Sequence, residues 1–253
     1  MEELQMKRYV VVSSNNNPDY LFYIPYIEKA WNSLGWGLVV MVTDDVDVKS
    51  LKLNNPDTKV FVLPSIEGVR QESVAQAGRL YAANYFKEEV LLMTSDMDLL
   101  PLSDYWHPNV EDITVYGHDL TDYTYFPMGY TAMTSTKWET LFNNMEADAK
   151  KYSHLTMAKD WEAWWNWDWR MLTDRLSPMP VVHKLRGRQS NGFAFGRIDR
   201  GNSMAYVEGE LIDAHCENNN VQHPIKLNRF LEIFESKYGK LEPIIKYSDL
   251  NGI

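Results

Sequence analysis

The chain has 253 residues, of which 45% are hydrophobic, and its formal net charge at pH 7 is −10. This length and apolar content suit one folded domain and exclude a chain that is disordered throughout. The acidic balance argues against non-specific binding to nucleic acid or to anionic lipid, because both would be repelled. An anionic small molecule would need a cation or a local basic pocket to bind.

The composition and the apolar pattern also bear on the location of the protein. Cys216 is the one cysteine of the sequence, so no intramolecular disulfide can form. No basic segment followed by an apolar stretch and a cleavage site opens the sequence, and no apolar run approaches the roughly 20 residues that span a bilayer. These features predict a cytoplasmic protein without a transmembrane segment.

The first hundred residues alternate short apolar strands with helical patterns. Strands are predicted at 7–13, 38–43, 59–63 and 89–94, and helices at 18–35 and 70–86. This order is typical of an α/β fold with a mostly parallel central sheet that is flanked by helices.

The rest of the sequence has a less regular pattern. Strands are predicted at 112–116 and 130–134, and helices at 136–145, 159–175 and 224–237. No repeat, low-complexity tract or linker interrupts the chain. We therefore expect a single domain over residues 1–253.

Two aspartates, Asp96 and Asp98, directly follow the apolar strand 89–94. Ligands of open α/β sheets bind at the carboxyl ends of strands, and alternate residues of an extended segment point the same way. Both carboxylates can therefore face one site, where their repulsion favours a bound cation, and oxygen ligands suit Mg²⁺ or Mn²⁺. A solvated acidic turn is the alternative, and the buried strand in front of the pair favours the metal site.

The segment 79–106, RLYAANYFKEEVLLMTSDMDLLPLSDYW, resembles the donor-site region of GT-A-fold glycosyltransferases, in which a helix leads into a hydrophobic strand that ends in Asp-x-Asp. It is most similar to the glycogenin-like group, in which a turn containing Leu and Pro follows the motif. The resemblance implies one GT-A-like, Rossmann-like domain. Residues 1–106 would form its nucleotide-sugar donor half, and residues 107–253 its acceptor half.

The resemblance also assigns roles near the aspartate pair. It implies that Asp96 and Asp98 bind the metal ion, that Asp96 also contacts the donor, and that Arg79 approaches the donor from the preceding helix. A late histidine often completes the metal site of such enzymes. His215 follows a strand-like run and is the predicted ligand, whereas His223 precedes a proline and looks like a helix lead-in.

Further donor contacts are implied after the first two strands. Ser13, Ser14 and Asn15 occupy the place where these enzymes hold the nucleotide base, and Asp44 matches a common uracil or ribose contact. An ordinary polar turn is the competing interpretation for each of these positions. For Arg79 the competing interpretation is a solvated helix residue.

Five of the nine tryptophans fall in the segment 161–169, WEAWWNWDW. On one continuous helix, Trp161, Trp164 or Trp165, and Asp168 share a face. Aromatic rings beside a carboxylate suit a sugar, which has apolar C–H faces and hydroxyl edges. A core helix packed through its tryptophans is the structural alternative.

An acidic residue on the acceptor side removes the proton from the acceptor hydroxyl in inverting GT-A enzymes. By resemblance Asp168 is the predicted catalytic residue, and Asp160 and Glu162 are the alternatives. Whether the reaction inverts or retains the anomeric configuration stays open from the sequence.

The segment 183–200 is locally basic in this acidic chain. Its arginines could hold a pyrophosphate or an anionic acceptor, and its glycines would permit close backbone approach. The positions concerned are Arg186, Arg188, Arg197, Gly192 and Gly196. A hairpin with solvated arginines is the simpler interpretation.

These features together predict a metal-dependent glycosyltransferase that uses Mn²⁺ or Mg²⁺. The implied partners are a nucleotide-sugar donor, UDP-sugar before GDP-sugar, and a glycan or other hydroxyl acceptor. A nucleotidyltransferase is one alternative, although the loop after the first strand lacks the glycines that such enzymes use. A carbohydrate-binding module that stacks glycans on tryptophan without chemistry is the other.

Overall fold

A computed structural model of the protein describes residues 6–188, 194–198, 211–216, 224–241 and 245–246. Its strands are β1 (Arg8–Ser14), β2 (Gly37–Thr43), β3 (Lys52–Leu53), β4 (Lys59–Leu63), β5 (Leu91–Thr94), β6 (Leu99–Pro101), β7 (Thr114–Tyr116), β8 (Thr131–Thr134), β9 (Val182–Lys184), β10 (Arg197–Ile198), β11 (Asp213–His215) and β12 (Ile245–Lys246).

Helices cover the faces and ends of these strands. They are α1 (Pro18–Leu21), α2 (Ile24–Ser33), α3 (Gln71–Gly78), α4 (Ser135–Leu141), α5 (Met145–Lys151), α6 (Ser153–Thr156), α7 (Trp161–Trp165), α8 (Trp167–Leu176) and α9 (Pro224–Tyr238). Short 3₁₀ helices are formed by Val48–Ser50, Arg79–Tyr85 and His118–Thr121.

A seven-stranded sheet has the order β4-β2-β1-β5-β8-β7-β9. Its pairs are parallel except for the two pairs made by β8, which runs against both of its neighbours. The chain runs from β1 outward to β2 and β4, and then returns through α3 to place β5 on the other side of β1. The carboxyl ends of β1 and β5 therefore form a topological switch point, where open α/β sheets bind ligands.

A three-stranded sheet, β10-β11-β6, adjoins this edge, and β3 pairs with β12 in a separate two-stranded ribbon. β11 runs antiparallel to β6, with His215 opposite Leu99. The small sheet therefore begins directly after Asp98, the last residue before β6.

Both faces of the large sheet are buried. Val10 and Val12 of β1 pack into one hydrophobic cluster with α2 and α9, and Val11 packs into a second cluster with α3 and α8. The predicted α/β fold with a mostly parallel sheet flanked by helices is confirmed. The division into a donor half and an acceptor half stays a prediction.

The predicted long helices are shorter and broken. The helical pattern 18–35 splits into α1 and α2, and Pro25 lies in the first turn of α2, where its missing amide hydrogen is not needed. The pattern 70–86 changes from α3 to a 3₁₀ helix at Gly78. Glycine is a weak helix former, and a Cβ there would lie 2.2 Å from Leu63 Cδ1.

The predicted helix 159–175 is interrupted at Asn166, between α7 and α8. The interruption lets Trp167 enter the core, where its side chain is fully buried and its indole N–H donates to the Ser73 carbonyl at 3.1 Å. A buried indole needs such an acceptor, so this tertiary contact overrides the continuous helical pattern.

Within the described ranges, no helix has both the length and the apolar character required to cross a bilayer. The cytoplasmic location stays a prediction.

Glu28 is a buried carboxylate that joins α2 to the loop between β3 and β4. It accepts hydrogen bonds from the Asn54 and Asn55 amides, the latter at 3.2 Å, and from the Thr58 hydroxyl. Burial raises the pKa of Glu28, and the three donors oppose that rise by favouring the carboxylate. The loop and the helix are therefore fixed to each other by one ionisable group.

We expect Glu28→Gln to lower the free energy of unfolding by about 1–3 kcal/mol at pH 7, because an amide N–H₂ would replace an acceptor and face buried donors. Urea denaturation measures the change. Glu88→Gln is the control, since its pair with Lys7 is exposed and should change stability by less than about 1 kcal/mol. Equal effects of the two substitutions would show that the Glu28 contacts do not stabilise the fold.

Candidate active site

A cavity of about 260 Å³ lies at the switch point. Its walls come from the loop after β1, from α3 and the start of the following 3₁₀ helix, from the segment between β5 and β6, from the junction of α7 and α8, and from the end of β11. A wider open depression of about 1010 Å³ lies at the opposite, amino ends of β1, β2 and β4, away from the predicted site residues.

The end of β1 supplies the first wall. Ser13, Ser14 and Asn15 line the cavity, and the Ser14 hydroxyl donates to the Asn15 carbonyl at 2.8 Å; their contact with a nucleotide base stays a prediction. The Asn17 side chain accepts from the Asp19 amide at 3.0 Å, which caps α1 and turns the chain away from the sheet. This turn also places Tyr20 on the cavity wall.

Asp96 and Asp98 follow β5 and both line the cavity. The Ser95 amide donates to the Val11 carbonyl at 2.9 Å, which extends the β1–β5 pairing to the residue before the motif. The Asp98 side chain is almost fully buried, whereas that of Asp96 is 35% exposed. The two carboxylates therefore have different surroundings, although they are two residues apart.

Arg79 is buried at the first position of its 3₁₀ helix and connects three segments. Its guanidinium donates to the Ser95 carbonyl at 2.9 Å, forms an ion pair with Asp96, and lies 3.5 Å from Asp168 Oδ2. Burial opposes its charge, and the two carboxylates outweigh that effect and raise the pKa of Arg79. Arg79 is thus a buried cation, not a solvated helix residue.

Asp168 lies in the first turn of α8 and is 1% exposed. Its Oδ1 accepts from the Trp169 amide at 2.8 Å, and its Oδ2 faces Arg79. Burial raises the pKa of Asp168 from the ordinary value of 3.8 to about 6, even though Arg79 and the Trp169 amide favour the charged form. A carboxyl group with a pKa near neutrality in a cavity is a candidate for proton transfer.

His215 reaches the cavity from β11, as the sequence predicts. Its Nε2 lies 3.7 Å from Asp98 Oδ2, and the next amide, that of Cys216, donates to the Asp98 carbonyl at 2.7 Å. The register of β11 on β6 therefore brings an imidazole nitrogen to the aspartate pair. The alternative, His223, lies outside the described residues.

Asp98 and His215 are close enough to share a divalent ion. Two metal–ligand bonds of about 2.1 Å each can bridge the 3.7 Å between His215 Nε2 and Asp98 Oδ2. Across the described ranges, no group of three or more His, Cys, Asp or Glu side chains is arranged to hold a metal ion, and Asp96 is paired with Arg79. Two protein ligands, Asp98 and His215, beside a second carboxylate, Asp96, fit an ion that is shared with substrate phosphates.

Asp44 does not line the cavity, although it follows β2 at the same edge of the sheet. Its carboxylate accepts from the Ser65 hydroxyl and amide and from the Gln71 side chain at 3.1 Å. The Ser65 hydroxyl is the main cause of a lowered pKa of Asp44. These contacts fix the turn after β4, and the predicted nucleotide contact stays a prediction.

The tryptophan segment divides between the cavity and the core. Trp165 and Trp169 line the cavity, whereas Trp164 lies under the Arg70 guanidinium at 5.3 Å and Trp167 is in the core. The predicted common face depended on one continuous helix, so the break at Asn166 changes which tryptophans accompany Asp168. The side chains of Trp161 and Glu162 lie outside the described part of the structure, and Asp160 is exposed outside the cavity.

The arginines of the basic segment are engaged away from the cavity. Arg186 and Arg197 both bind Asp213, and Arg188 bonds to the Leu120 carbonyl and lies 3.6 Å from Asp122. Gly196 has a left-handed backbone with a φ of 69°, whereas Gly192 lies outside the described residues. A direct role of these arginines in binding a pyrophosphate is not supported, because two of them bind Asp213 and none of the three lines the cavity.

Five further polar or aromatic positions on the described cavity wall escaped the sequence interpretation, namely Asn17, Tyr20, Glu72, Gln76 and Trp169. Gln76 and Glu72 of α3 lie one and two turns before Arg79, and Trp169 lies one residue after Asp168. The spacing of 72, 76 and 79 is that of one helix face and could have indicated the two α3 residues.

Comparison with known proteins places this geometry in a known fold. No protein-family model matches the sequence, and no curated protein matches it. Among solved structures, the galactosyltransferase LgtC in complex with donor and acceptor sugar analogues matches with a TM-score of 0.51 and 13% identity, over 92% of this chain and 97% of that one. The chain has a GT-A fold. At this identity the likeness shows the fold alone.

Two more solved structures are similar to this GT-A-fold chain at lower scores. An active-site mutant of LgtC has a TM-score of 0.46 and 11% identity, over 94% of this chain and 86% of that one. The glycosyltransferase GlyE of Streptococcus pneumoniae has a TM-score of 0.42 and 14% identity, over 71% of this chain and 45% of that one.

The raised pKa of Asp168 has a consequence for stability. The folded state favours the protonated carboxyl group of Asp168. The stability that this group contributes is therefore fully present below about pH 4 and is lost as the pH rises through about 6. We expect the stability of the wild type relative to Asp168→Asn to fall by about 2–3 kcal/mol between pH 4 and pH 7. Urea denaturation across this range measures it.

The surface substitution Asp104→Asn serves as the control for the loss of one carboxylate. A difference between wild type and Asp168→Asn that does not change with pH would contradict the burial effect assigned to Asp168.

Proposed function

We propose that the protein is a metal-dependent glycosyltransferase that transfers a sugar from a nucleotide-sugar donor to a hydroxyl group of a glycan or other acceptor. UDP-sugar is the first expected donor. The observation that carries the proposal is that Asp96, Asp98, His215, Arg79 and Asp168 line one cavity at the switch point of a GT-A-fold sheet.

The charge of the cavity supports a cation-dependent donor site. Among the described residues, four carboxylates line it, those of Glu72, Asp96, Asp98 and Asp168, and the one arginine, Arg79, is already paired with two of them. An anionic diphosphate would be repelled by this lining. A divalent cation would reverse the local charge and allow the donor to bind.

Asp98 and His215 would hold the metal ion, with Asp96 beside them. When bound, Mn²⁺ or Mg²⁺ supplies a Lewis acid that neutralises the negative charge growing on the leaving diphosphate. Arg79 donates to both the Asp96 carboxylate and the Ser95 carbonyl. These contacts fix the orientation of Asp96 in the Asp-x-Asp motif.

Asp168 is the candidate for the base that accepts the proton of the acceptor hydroxyl. Its position on the wall and its pKa of about 6 support this role. In that case Asp168→Asn abolishes the low-pH limb of the kcat/KM profile along with most of the turnover, and the reaction inverts the anomeric centre. Substantial turnover in Asp168→Asn would instead favour retention and a structural role for its pair with Arg79.

The acceptor would lie against Trp165 and Trp169. Trp165 exposes 37% of its surface, which is high for a tryptophan, and both residues line the same cavity as Asp168. Sugar C–H faces pack on indole rings, and their hydroxyl edges can reach the carboxylate. These tryptophans also suit glycan binding without transfer, which is the second candidate function.

We expect Mn²⁺ and UDP together, each at saturating concentration, to raise the melting temperature of the wild type. A ligand at about 100 times its Kd adds roughly 2.7 kcal/mol, equivalent to about 5–10 °C for a chain of this size. Asp98→Ala should lose the shift, since it removes a metal ligand. Differential scanning fluorimetry with UDP, GDP, CMP and their sugars, each with and without Mn²⁺, makes the measurement.

Asp57→Asn is the matched control, because this exposed aspartate lies at the amino ends of the strands. It should keep the full shift. Stabilisation by free glycans, with no shift from any nucleotide, would overturn the transferase proposal and leave the binding module.

We expect Trp165→Ala to raise the KM for the acceptor about 2- to 10-fold and to leave the KM for the donor unchanged. Loss of an aromatic contact of about 0.5–1.5 kcal/mol accounts for that range. Steady-state kinetics with the acceptor found by a glycan screen measure both constants. Trp164→Ala is the control, because Trp164 packs against Arg70 outside the cavity, and an equal rise in this variant would contradict the tryptophan platform.

A further inference from the structure

Asp213 is fully buried and accepts four hydrogen bonds from two arginines. Arg186 donates to both carboxylate oxygens at 2.9 Å, and Arg197 donates at 3.0 and 2.6 Å. Each arginine thus makes a bidentate contact with the same carboxylate, the geometry in which an ion pair is strongest. Despite burial, the two guanidinium groups hold the pKa of Asp213 well below its usual range.

These three residues come from different parts of the fold. Arg186 follows β9, the edge strand of the large sheet, Arg197 begins β10, and Asp213 begins β11. Arg186 Nη2 also donates to the Phe195 carbonyl at 3.0 Å. The cluster therefore connects the small sheet to the edge of the large sheet through side chains.

The position of the cluster on β11 links it to the cavity. Asp213 and His215 are alternate residues of one short strand, so they lie on the same face of it. Asp213 is paired with Pro101 of β6 and with Arg197 of β10, whereas His215 is paired with Leu99 and faces Asp98 at 3.7 Å. A movement of β11 along or away from β6 would separate His215 from Asp98 directly.

Stability alone does not account for this arrangement. The Arg186–Asp213 pair places two charged groups in a buried region, and buried ion pairs can often be replaced by apolar side chains without loss of stability. Directional bonds that join three strands, in contrast, fix one register. The three-residue strand β11 has few backbone hydrogen bonds of its own with which to fix its register.

We propose that Asp213, held by Arg186 and Arg197, is a positioning residue that keeps His215 in place to bind the divalent ion of the donor site. The proposal rests on the proposed function. It assigns the basic segment an indirect role: its arginines order the histidine ligand and do not touch the diphosphate.

The test measures the affinity for Mn²⁺ by isothermal titration calorimetry in the presence of UDP, at a temperature where each variant is folded. Asp213→Asn should weaken Mn²⁺ affinity about 10- to 100-fold, the range seen when the supports of metal ligands are removed. Arg197→Lys keeps the positive charge but loses the bidentate contact with Asp213. It should weaken affinity in the same direction, and it replaces Asp213→Asn if that variant does not fold.

Arg175→Lys is the matched control. Arg175 pairs with the part-buried Asp148 beside the Leu141 carbonyl, and neither residue lines the cavity. It should lower the melting temperature and leave Mn²⁺ affinity within about twofold of the wild type. Wild-type affinity for Mn²⁺ in both Asp213→Asn and Arg197→Lys would overturn the positioning role of Asp213 and leave the proposed metal site intact. If the wild type itself bound no Mn²⁺ in the presence of UDP, both the metal site and this inference would be overturned.

Discussion

The Arg79 guanidinium lies buried between two carboxylates that the chain brings together from distant positions. Asp96 follows the central strand β5, Asp168 begins the helix α8, and Arg79 lies in the 3₁₀ helix between β4 and β5. Each charge is stable in a region of low exposure only because the others are present. The floor of the cavity, the motif after β5 and the position of α8 all depend on this contact.

The topology of the sheet makes the contact reachable. β1 and β5 are neighbours whose chains lead away in opposite directions, so their carboxyl ends leave a gap that no crossover helix fills. α3 and α8 pack against each other on one face of the sheet, and both border this gap. The small sheet closes the gap by adding β11 next to β6, and His215 arrives with it. Five segments that are far apart in sequence therefore contribute to a cavity of about 260 Å³.

Much of this could be predicted from the sequence, because it follows from local pattern. The apolar strands, the mostly parallel sheet and the position of Asp96 and Asp98 after a buried strand depend on neighbouring residues alone. His215 could be placed in the same way, since a strand-like run precedes it. Ser13 and Ser14 needed only the end of β1.

The rest depends on partners that are distant in the chain. Arg186 and Arg197 look like solvated cations until Asp213 is placed beside them, 27 and 16 residues away. The break at Asn166 depends on an acceptor for Trp167 on α3, 94 residues earlier. Asp44 could not be separated from a nucleotide contact without knowing that Ser65 and Gln71 bind it.

The sharing of Arg79 by two carboxylates also restricts how this sequence can diverge. Replacing the arginine alone removes the guanidinium that the buried Asp168 and the part-exposed Asp96 share, and replacing one acid alone removes one of the two carboxylates that face the buried cation. The effects of substitutions at the three positions are therefore not additive, because they share partners. Neutral drift can pass through these positions only by paired changes, so Arg79, Asp96 and Asp168 should be inherited, or lost, as a unit.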